Sequence, residues 1–133
     1  MKSVTQEEPM GCGIACVAVA LGKSYQQTKS LFDNPEFAST RGYYCRELIK
    51  VLNKKFSNYN FSKANEKNKN LLMQDRVIVF IERSNKYPAG HYLIKTKKGW
   101  MNPWINFPNI SPAKSGFQKN LPGKAQWIIY QKM

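Results

Sequence analysis

From Gln6 to Leu21 the chain reads QEEPMGCGIACVAVAL. A lone glutamine and two acidic residues come first, then Cys12 between two glycines, and then a run of small apolar residues. The apolar run predicts a buried helix over residues 13–21 that ends at Gly22. Cys12 then lies where the helix begins, and there the helix dipole and the unpaired N–H groups stabilise a thiolate.

The other two thiols are expected to have a packing role. Cys16 lies one turn further into the same apolar run and Cys45 lies on a later predicted helix, so both are interpreted as core residues. Three cysteines and no export signal indicate reduced thiols and a cytoplasmic, reducing location, reached either directly or after delivery into a target cell. No apolar run reaches 18 residues, so no membrane span is expected.

The predicted helices precede the predicted strands. A length of 133 residues predicts one domain over 1–133. Ser24 is expected to cap a second helix over 25–32, and Ser39 or Thr40 to start a third near Tyr43. Strands are predicted at 59–61, 77–82, 91–96, 99–104 and 125–131. This order predicts an α+β fold in which N-terminal helices pack on an antiparallel β-sheet.

A nucleophilic cysteine needs a base, and the chain has one histidine, His91. A two-residue turn at Lys97-Lys98 would pair Thr96 with Gly99 and place His91 and Asn102 on the same face of the sheet. Asn102 is then expected to reach the imidazole diagonally and to fix its tautomer. A three-residue turn would shift the register and direct Asn102 to the other face.

Four short motifs together resemble a known family. They are Gln6, Cys12-Gly13-x-x-Cys16, Gly90-His91-Tyr92 and Asn102-Pro103-Trp104. In this order and spacing they resemble the papain-like cysteine peptidases, and most closely the bacteriocin-processing (double-glycine leader) peptidases with their stand-alone and toxin-domain relatives. The resemblance covers most of the chain.

The resemblance implies a papain-like fold and a role for each motif. Cys12 would be the nucleophile and His91 the general base, and Asn102 would orient the imidazole. Gln6 would donate a side-chain hydrogen bond to the oxyanion, beside the backbone N–H of Cys12. The leader peptidases usually carry aspartate in place of Asn102, and often aspartate in place of Gly11, whereas papain itself uses asparagine. The expected substrate is a peptide or protein.

The charge of the chain points to a second function. The net charge is +13, and residues 83–133 contain nine basic residues and no acidic one. Such a charge implies a polyanion, an acidic protein or a membrane surface as partner, unless it is only a solvated surface. Small papain-like domains also occur as bacterial toxins. Cleavage of RNA, including tRNA, is therefore the alternative function, with an immunity or inhibitor protein as a further partner. An inactive binding module is a third interpretation.

In the RNA hypothesis His91 deprotonates a ribose 2′-hydroxyl. Lys95, Lys97 and Lys98 would hold phosphates beside the histidine strand. Exposed bases would stack on aromatic side chains, although packing in the core is the other role open to them. The candidates are Trp104 together with Tyr43, Tyr44, Tyr92 and Trp100.

A metal site is the remaining chemical alternative. Cys12, Cys16, Cys45 and His91 include the residue types of a zinc site. The first pair is spaced four apart within a predicted helix, however, and no second close pair follows. The chain also lacks a phosphate-loop or dinucleotide motif, so the sequence predicts neither a metal nor a cofactor.

Overall fold

The computed structural model describes residues 2–132. The helices are α1 (Cys12–Leu21), α2 (Tyr25–Lys29) and α3 (Cys45–Leu52), with short 3₁₀ helices at Pro35–Ser39 and Lys69–Met73. The strands are β1 (Tyr59–Lys63), β2 (Ile78–Ile81), β3 (His91–Thr96), β4 (Gly99–Asn102), β5 (Gly116–Gln118) and β6 (Ala125–Gln131). The predicted α+β class is confirmed.

The six strands form one antiparallel sheet in the order β1-β6-β2-β3-β4-β5. The last strand of the chain inserts between β1 and β2, which makes β2, β3 and β6 the apolar centre of the sheet. One face carries Tyr92 and Ile94 and packs against α1 and α3. The other face carries Val79 and Leu93 and is covered by loops. The sheet therefore separates two apolar clusters.

Helix α1 is the central element of the helical layer. Every residue from Gly13 to Leu21 is buried, so the helix is apolar on all sides, as expected for a helix enclosed by α2, α3 and β3. Gly22 ends it in the left-handed conformation with φ 70°. Its N-terminus, with Cys12, is the end that remains partly exposed.

Several elements differ from the sequence-based expectations. The strand predicted over 99–104 ends at Asn102, so Pro103 and Trp104 lie in the turn that follows it, and the strand predicted over 59–61 extends to Lys63. Helix α2 ends at Lys29 rather than residue 32, and its predicted cap, Ser24, is confirmed by a hydrogen bond from the Gln27 N–H. The predicted start of the third helix at Ser39 or Thr40 is wrong, because Ser39 ends a 3₁₀ helix and Glu47 instead caps α3 through the Tyr44 N–H. Strand β5 was not predicted.

Within residues 2–132 no helix has both the length and the apolar character needed to cross a membrane.

Candidate active site

The loop that precedes α1 is held in place by a carboxylate. Glu8 accepts a hydrogen bond from the Tyr25 hydroxyl at 2.5 Å and forms a salt bridge with Lys29, so the loop is fastened to α2. A Cβ at Gly11 would lie 1.9 Å from the Tyr25 oxygen. Gly11 therefore serves the packing of this loop against Tyr25.

Cys12 is the first residue of α1, and its sulfur faces strand β3. The backbone N–H of Tyr92 donates to Sγ at 3.5 Å, so the peptide group that joins His91 to Tyr92 lies against the thiol. Burial raises the pKa of Cys12 from 9.0 to about 11, although the N–H groups of Tyr92 and Gly13 oppose this shift. Desolvation of the thiolate thus has a larger effect on this pKa than the N–H groups near the start of α1, and the thiol is protonated at neutral pH.

His91 and Asn102 form a buried hydrogen bond. Their Nε2 and Oδ1 atoms are 2.7 Å apart, and the same Oδ1 accepts the Trp104 N–H at 2.9 Å. A backbone N–H can only donate, so the atom it meets must be the amide oxygen, and Nε2 of the neutral imidazole must carry the proton. The free lone pair of His91 is therefore on Nδ1. A general base needs such an unprotonated nitrogen, so Nδ1 is the atom that can accept a proton.

This hydrogen bond depends on the register of the β3–β4 hairpin. Thr96 pairs with Gly99 and Ile94 with Met101, which is the register of the predicted two-residue turn. The diagonal approach of Asn102 to His91 that the sequence predicted is therefore confirmed as geometry.

Two further residues fix the Asn102 amide. Its Nδ2 donates to the Tyr87 hydroxyl at 2.9 Å and to Oε1 of Gln118 at 2.8 Å, and the Tyr87 hydroxyl donates to the Trp104 carbonyl at 3.0 Å. The Tyr87 ring also stacks on His91, with centroids 4.3 Å apart and planes at 9°. Neither Tyr87 nor Gln118 was predicted from the sequence. An aromatic residue directly before the Pro88-Ala89-Gly90 turn was a usable signal for Tyr87, while nothing pointed to Gln118.

The imidazole is almost fully enclosed, with 3% of its residue surface exposed. Burial lowers the pKa of His91 from 6.5 to about 4, and the hydrogen bond with Asn102 opposes the shift only in part. A neutral imidazole and a neutral thiol therefore coexist over the physiological pH range.

Cys12 and His91 line the same cavity, which has a volume of about 290 Å³. His91 belongs to the sheet face away from α1, but it is the first residue of β3 and so lies at the end of the sheet that the start of α1 reaches. Gly90 turns the chain into this strand with φ 76°, and a Cβ there would lie 2.2 Å from the Phe80 ring. Only glycine meets both conditions at this position.

Gln6 also lines this cavity and is buried. Its Nε2 donates to the carbonyl oxygens of Glu8 and Pro9 at 3.0 and 3.1 Å. Its Oε1 is the one buried side-chain polar atom without a partner among residues 2–132. Both amide hydrogens of Gln6 thus already have acceptors within the protein. The predicted role of Gln6 as a donor to an oxyanion requires one of these hydrogen bonds to break.

The predicted binding residues divide into two groups. Trp104 is buried, lines the cavity and donates its Nε1–H to the Asn109 carbonyl at 2.7 Å. Lys97 and Lys98 form the hairpin turn, about 20 Å along β3 from His91, and Lys95 lies on β3 with its amine on the Thr96 carbonyl. The structure does not bring these lysines to the cavity. Arg41 is the cation that lines it instead.

The predicted stacking aromatics are mostly core residues. Tyr43, Tyr92 and Trp100 are buried, whereas Tyr44 is 51% exposed. The Tyr92 hydroxyl donates to the Tyr43 carbonyl at 2.9 Å and lies 3.7 Å from the Cys45 sulfur. Core packing is therefore the role of three of these four side chains.

The three thiols are unpaired, and Cys16 and Cys45 are buried in the helical layer. Within the part of the chain that the structure describes, no three His, Cys, Asp or Glu side chains cluster closely enough to hold a metal ion. The set Cys12, Cys16, Cys45 and His91 is thus not assembled as a metal site.

Comparison with models of known protein families gives no match, and no curated protein matches the chain. The chemistry of the site follows from its own residues. They offer a thiol at a helix start, a buried base of fixed tautomer, and a cavity that contains both.

Proposed function

We propose that the protein is a papain-like cysteine hydrolase that cleaves a peptide bond with a Cys12–His91–Asn102 triad. The observation that carries the proposal is the fixed tautomer of His91. Asn102 holds the Nε2 proton, which leaves Nδ1 as the basic atom, and the residue after His91 contacts the Cys12 sulfur. The order of helices before an antiparallel sheet is consistent with the papain-like fold.

The reaction begins from the neutral pair. Nδ1 of His91 takes the thiol proton while Sγ attacks the carbonyl carbon, which forms a tetrahedral intermediate with a negative oxygen. His91 then gives this proton to the leaving amine as the C–N bond breaks, and a thioester remains on Cys12. Water, deprotonated by His91, attacks the thioester, releases the acid product and restores the thiol.

The oxyanion is stabilised first by the Cys12 backbone N–H, which has no intrahelical acceptor at the start of α1. Gln6 supplies the second donor when the oxyanion replaces the Pro9 carbonyl as the acceptor of one Nε2 hydrogen. One such donor is worth a factor of about 10² to 10³ in turnover. Gln6→Ala is therefore expected to lower kcat about a hundredfold with little change in KM, and equal kcat values would remove Gln6 from the mechanism.

The biological setting follows the family resemblance. We infer a bacterial enzyme of the reducing cytoplasm that acts on a leader peptide or on a protein of a target cell. In the second case an immunity or inhibitor protein is its natural partner. Unpaired Cys12, Cys16 and Cys45 are consistent with a reducing compartment.

Cleavage of RNA, with tRNA as the substrate, is the second candidate. It is supported by the net charge of +13 and by arginine and aromatic side chains beside the cavity. The chemistry favours it less, because a ribonuclease needs a second group to protonate the leaving 5′-oxygen. Apart from Cys12 and His91, the cavity offers only an arginine and tyrosines for that task.

One pair of assays separates the two candidates. Wild type and Cys12→Ala are incubated with a peptide library from a bacterial proteome and with total tRNA, and the products are read by mass spectrometry and on a gel. We expect new peptide termini with wild type and none with Cys12→Ala. Cys16→Ala is the matched control, since it removes a buried thiol outside the cavity. Absence of peptide cleavage, or cleavage that survives Cys12→Ala, would refute the peptidase, and Cys12-dependent tRNA fragments would establish the alternative.

A further inference from the structure

A second and larger cavity, of about 730 Å³, opens beside the catalytic one. We call it the arginine cleft, lined by Arg41, Arg46, Arg83, Tyr44, Phe61 and Trp127. The two cavities share wall residues, namely Arg41, Tyr43, Phe80, Ala89 and Tyr92. A ligand that leaves the catalytic cavity on this side therefore enters the arginine cleft directly.

The floor of the cleft is a row of aromatic side chains across four adjacent strands. Tyr92 on β3 pairs with Phe80 on β2, and Phe80 pairs with Trp127 on β6. Phe61 on β1 then meets Trp127 edge-on at 5.9 Å. Three strand spacings of about 4.8 Å give a row of about 14 Å, which is the length of about four extended peptide residues.

The walls of the cleft carry three arginines and one acidic residue, Glu82. Arg41 is already bound, since Glu47 accepts from its two terminal nitrogens at 3.1 and 2.9 Å. Arg46 stacks on Tyr44 at 4.7 Å, and neither Arg46 nor Arg83 forms a salt bridge within residues 2–132. Two exposed guanidinium groups thus face the cleft with their donors unused.

We propose that the arginine cleft binds an acidic segment of the peptide substrate, about four residues on one side of the scissile bond. This inference rests on the proposed peptidase. Planar guanidinium groups match carboxylates in a bidentate way, and Arg46 and Arg83 are free to do so. Single-stranded RNA fits less well, because Arg41 and Arg46 already lie over Tyr44, the most exposed ring of the cleft, and Phe80 packs edge-to-face with the buried Tyr92.

Binding is tested without turnover in the Cys12→Ala protein. The probes are a fluorescein-labelled tetraglutamate peptide, the matching tetraglutamine peptide and a single-stranded oligoribonucleotide of twelve residues. We expect the glutamate probe to bind most tightly. Arg46→Gln with Arg83→Gln should weaken it about fivefold to tenfold, as two exposed charge contacts imply.

A matched control removes two charges elsewhere. Lys97 and Lys119 are exposed and lie by β4 and β5, at the opposite edge of the sheet from β1, so Lys97→Gln with Lys119→Gln should leave binding unchanged. Thermal unfolding of both double variants verifies that each is folded. Equal affinity for the glutamate and glutamine probes, or equal loss in both double variants, overturns the proposal. So does an oligoribonucleotide that binds more tightly through Arg46 and Arg83.

The cleavage library gives an independent measurement. Aspartate and glutamate should be enriched at up to about four positions on one side of the cut, and the Arg46/Arg83 double variant should lose this enrichment while it still cuts neutral peptides. Cuts without acidic enrichment refute the cleft proposal and leave the peptidase intact. Glutamate binding without any cut refutes the peptidase and leaves the acidic binding site in place.

Discussion

Acidification from pH 7.5 to 5 should destabilise this protein mainly through His91, because His91 is its only histidine and is buried as the neutral imidazole. Burial sets the pKa of His91 at about 4 in the native state, against 6.5 for the free group. The unfolded chain therefore takes up a proton below pH 6.5, whereas the native protein does not until about pH 4. The stabilisation is complete above pH 6.5 and is lost as the pH falls from 6.5 to 4.

The size of this loss follows from the same two values. At pH 5 the unfolded histidine is almost fully charged and the native one is almost fully neutral, so the free energy of unfolding is lower by about 2 kcal/mol than at pH 7.5. The limit below pH 4 is about 3 kcal/mol. Lys50 lowers the pKa of Asp33 and Arg41 lowers the pKa of Glu47. These two carboxylates therefore also stabilise the native state, and their contribution is lost as the pH falls below their ordinary pKa values of 3.8 and 4.5.

Urea unfolding at pH 7.5, 6 and 5 measures the effect. With a slope of about 1.5 kcal/mol/M, the midpoint should fall by roughly 1.3 M between pH 7.5 and 5. His91→Gln removes the titrating group and keeps an amide nitrogen near the position of Nε2, so its midpoint should change little over this range. Cys12→Ala is the control that should keep the full dependence. If wild type and His91→Gln lose the same stability between pH 7.5 and 5, His91 is not buried as the neutral imidazole.

Three further predictions concern the thiol, the orienting residue and the loop before α1. Iodoacetamide should label Cys12 slowly at pH 6 and about tenfold faster per pH unit up to about pH 11, since the thiolate is the nucleophile; rapid labelling at pH 6 would indicate a thiolate–imidazolium pair instead. Asn102→Asp should raise the pKa of His91 in an NMR titration and so reduce the acid destabilisation, and an unchanged pKa would contradict the contact. Gly11→Ala should lower stability by about 1–3 kcal/mol, with partial recovery on adding Tyr25→Phe; a double variant no more stable than Gly11→Ala would place the clash elsewhere.

Local sequence patterns accounted for the parts of the site that lie close together along the chain. The apolar run up to Leu21 required a buried helix, so the start of α1 placed Cys12. The Lys97-Lys98 turn fixed the hairpin register, and the period of the strand then brought Asn102 to His91. Both inferences needed only contacts between residues less than 15 apart in sequence, where turn type and periodicity leave few alternatives.

The remaining features depend on contacts that no local pattern encodes. Gln118 reaches Asn102 from β5, a three-residue edge strand too short to produce a periodic signal. The prediction that the lysines bind next to His91 did not take the length of the strand into account. Six residues of strand β3 separate Lys97 from His91 by about 20 Å. Burial of Cys12 and His91 is a tertiary property, and it reversed the expected direction of the cysteine pKa.

That reversal links the burial of the site to the control of its reactivity. Proton transfer from Cys12 to His91 places two opposite charges where desolvation disfavours both, so the pair remains neutral while the cavity holds no substrate. In the proposed reaction, attack on a carbonyl would move the negative charge from sulfur to oxygen, where the Cys12 N–H and Gln6 would stabilise it and the imidazolium would gain a nearby counter-charge. Under the proposed mechanism, the substrate itself would therefore supply the condition under which the thiol becomes nucleophilic. The same burial keeps thiolate, the form that oxidants attack, scarce in the protein without a ligand.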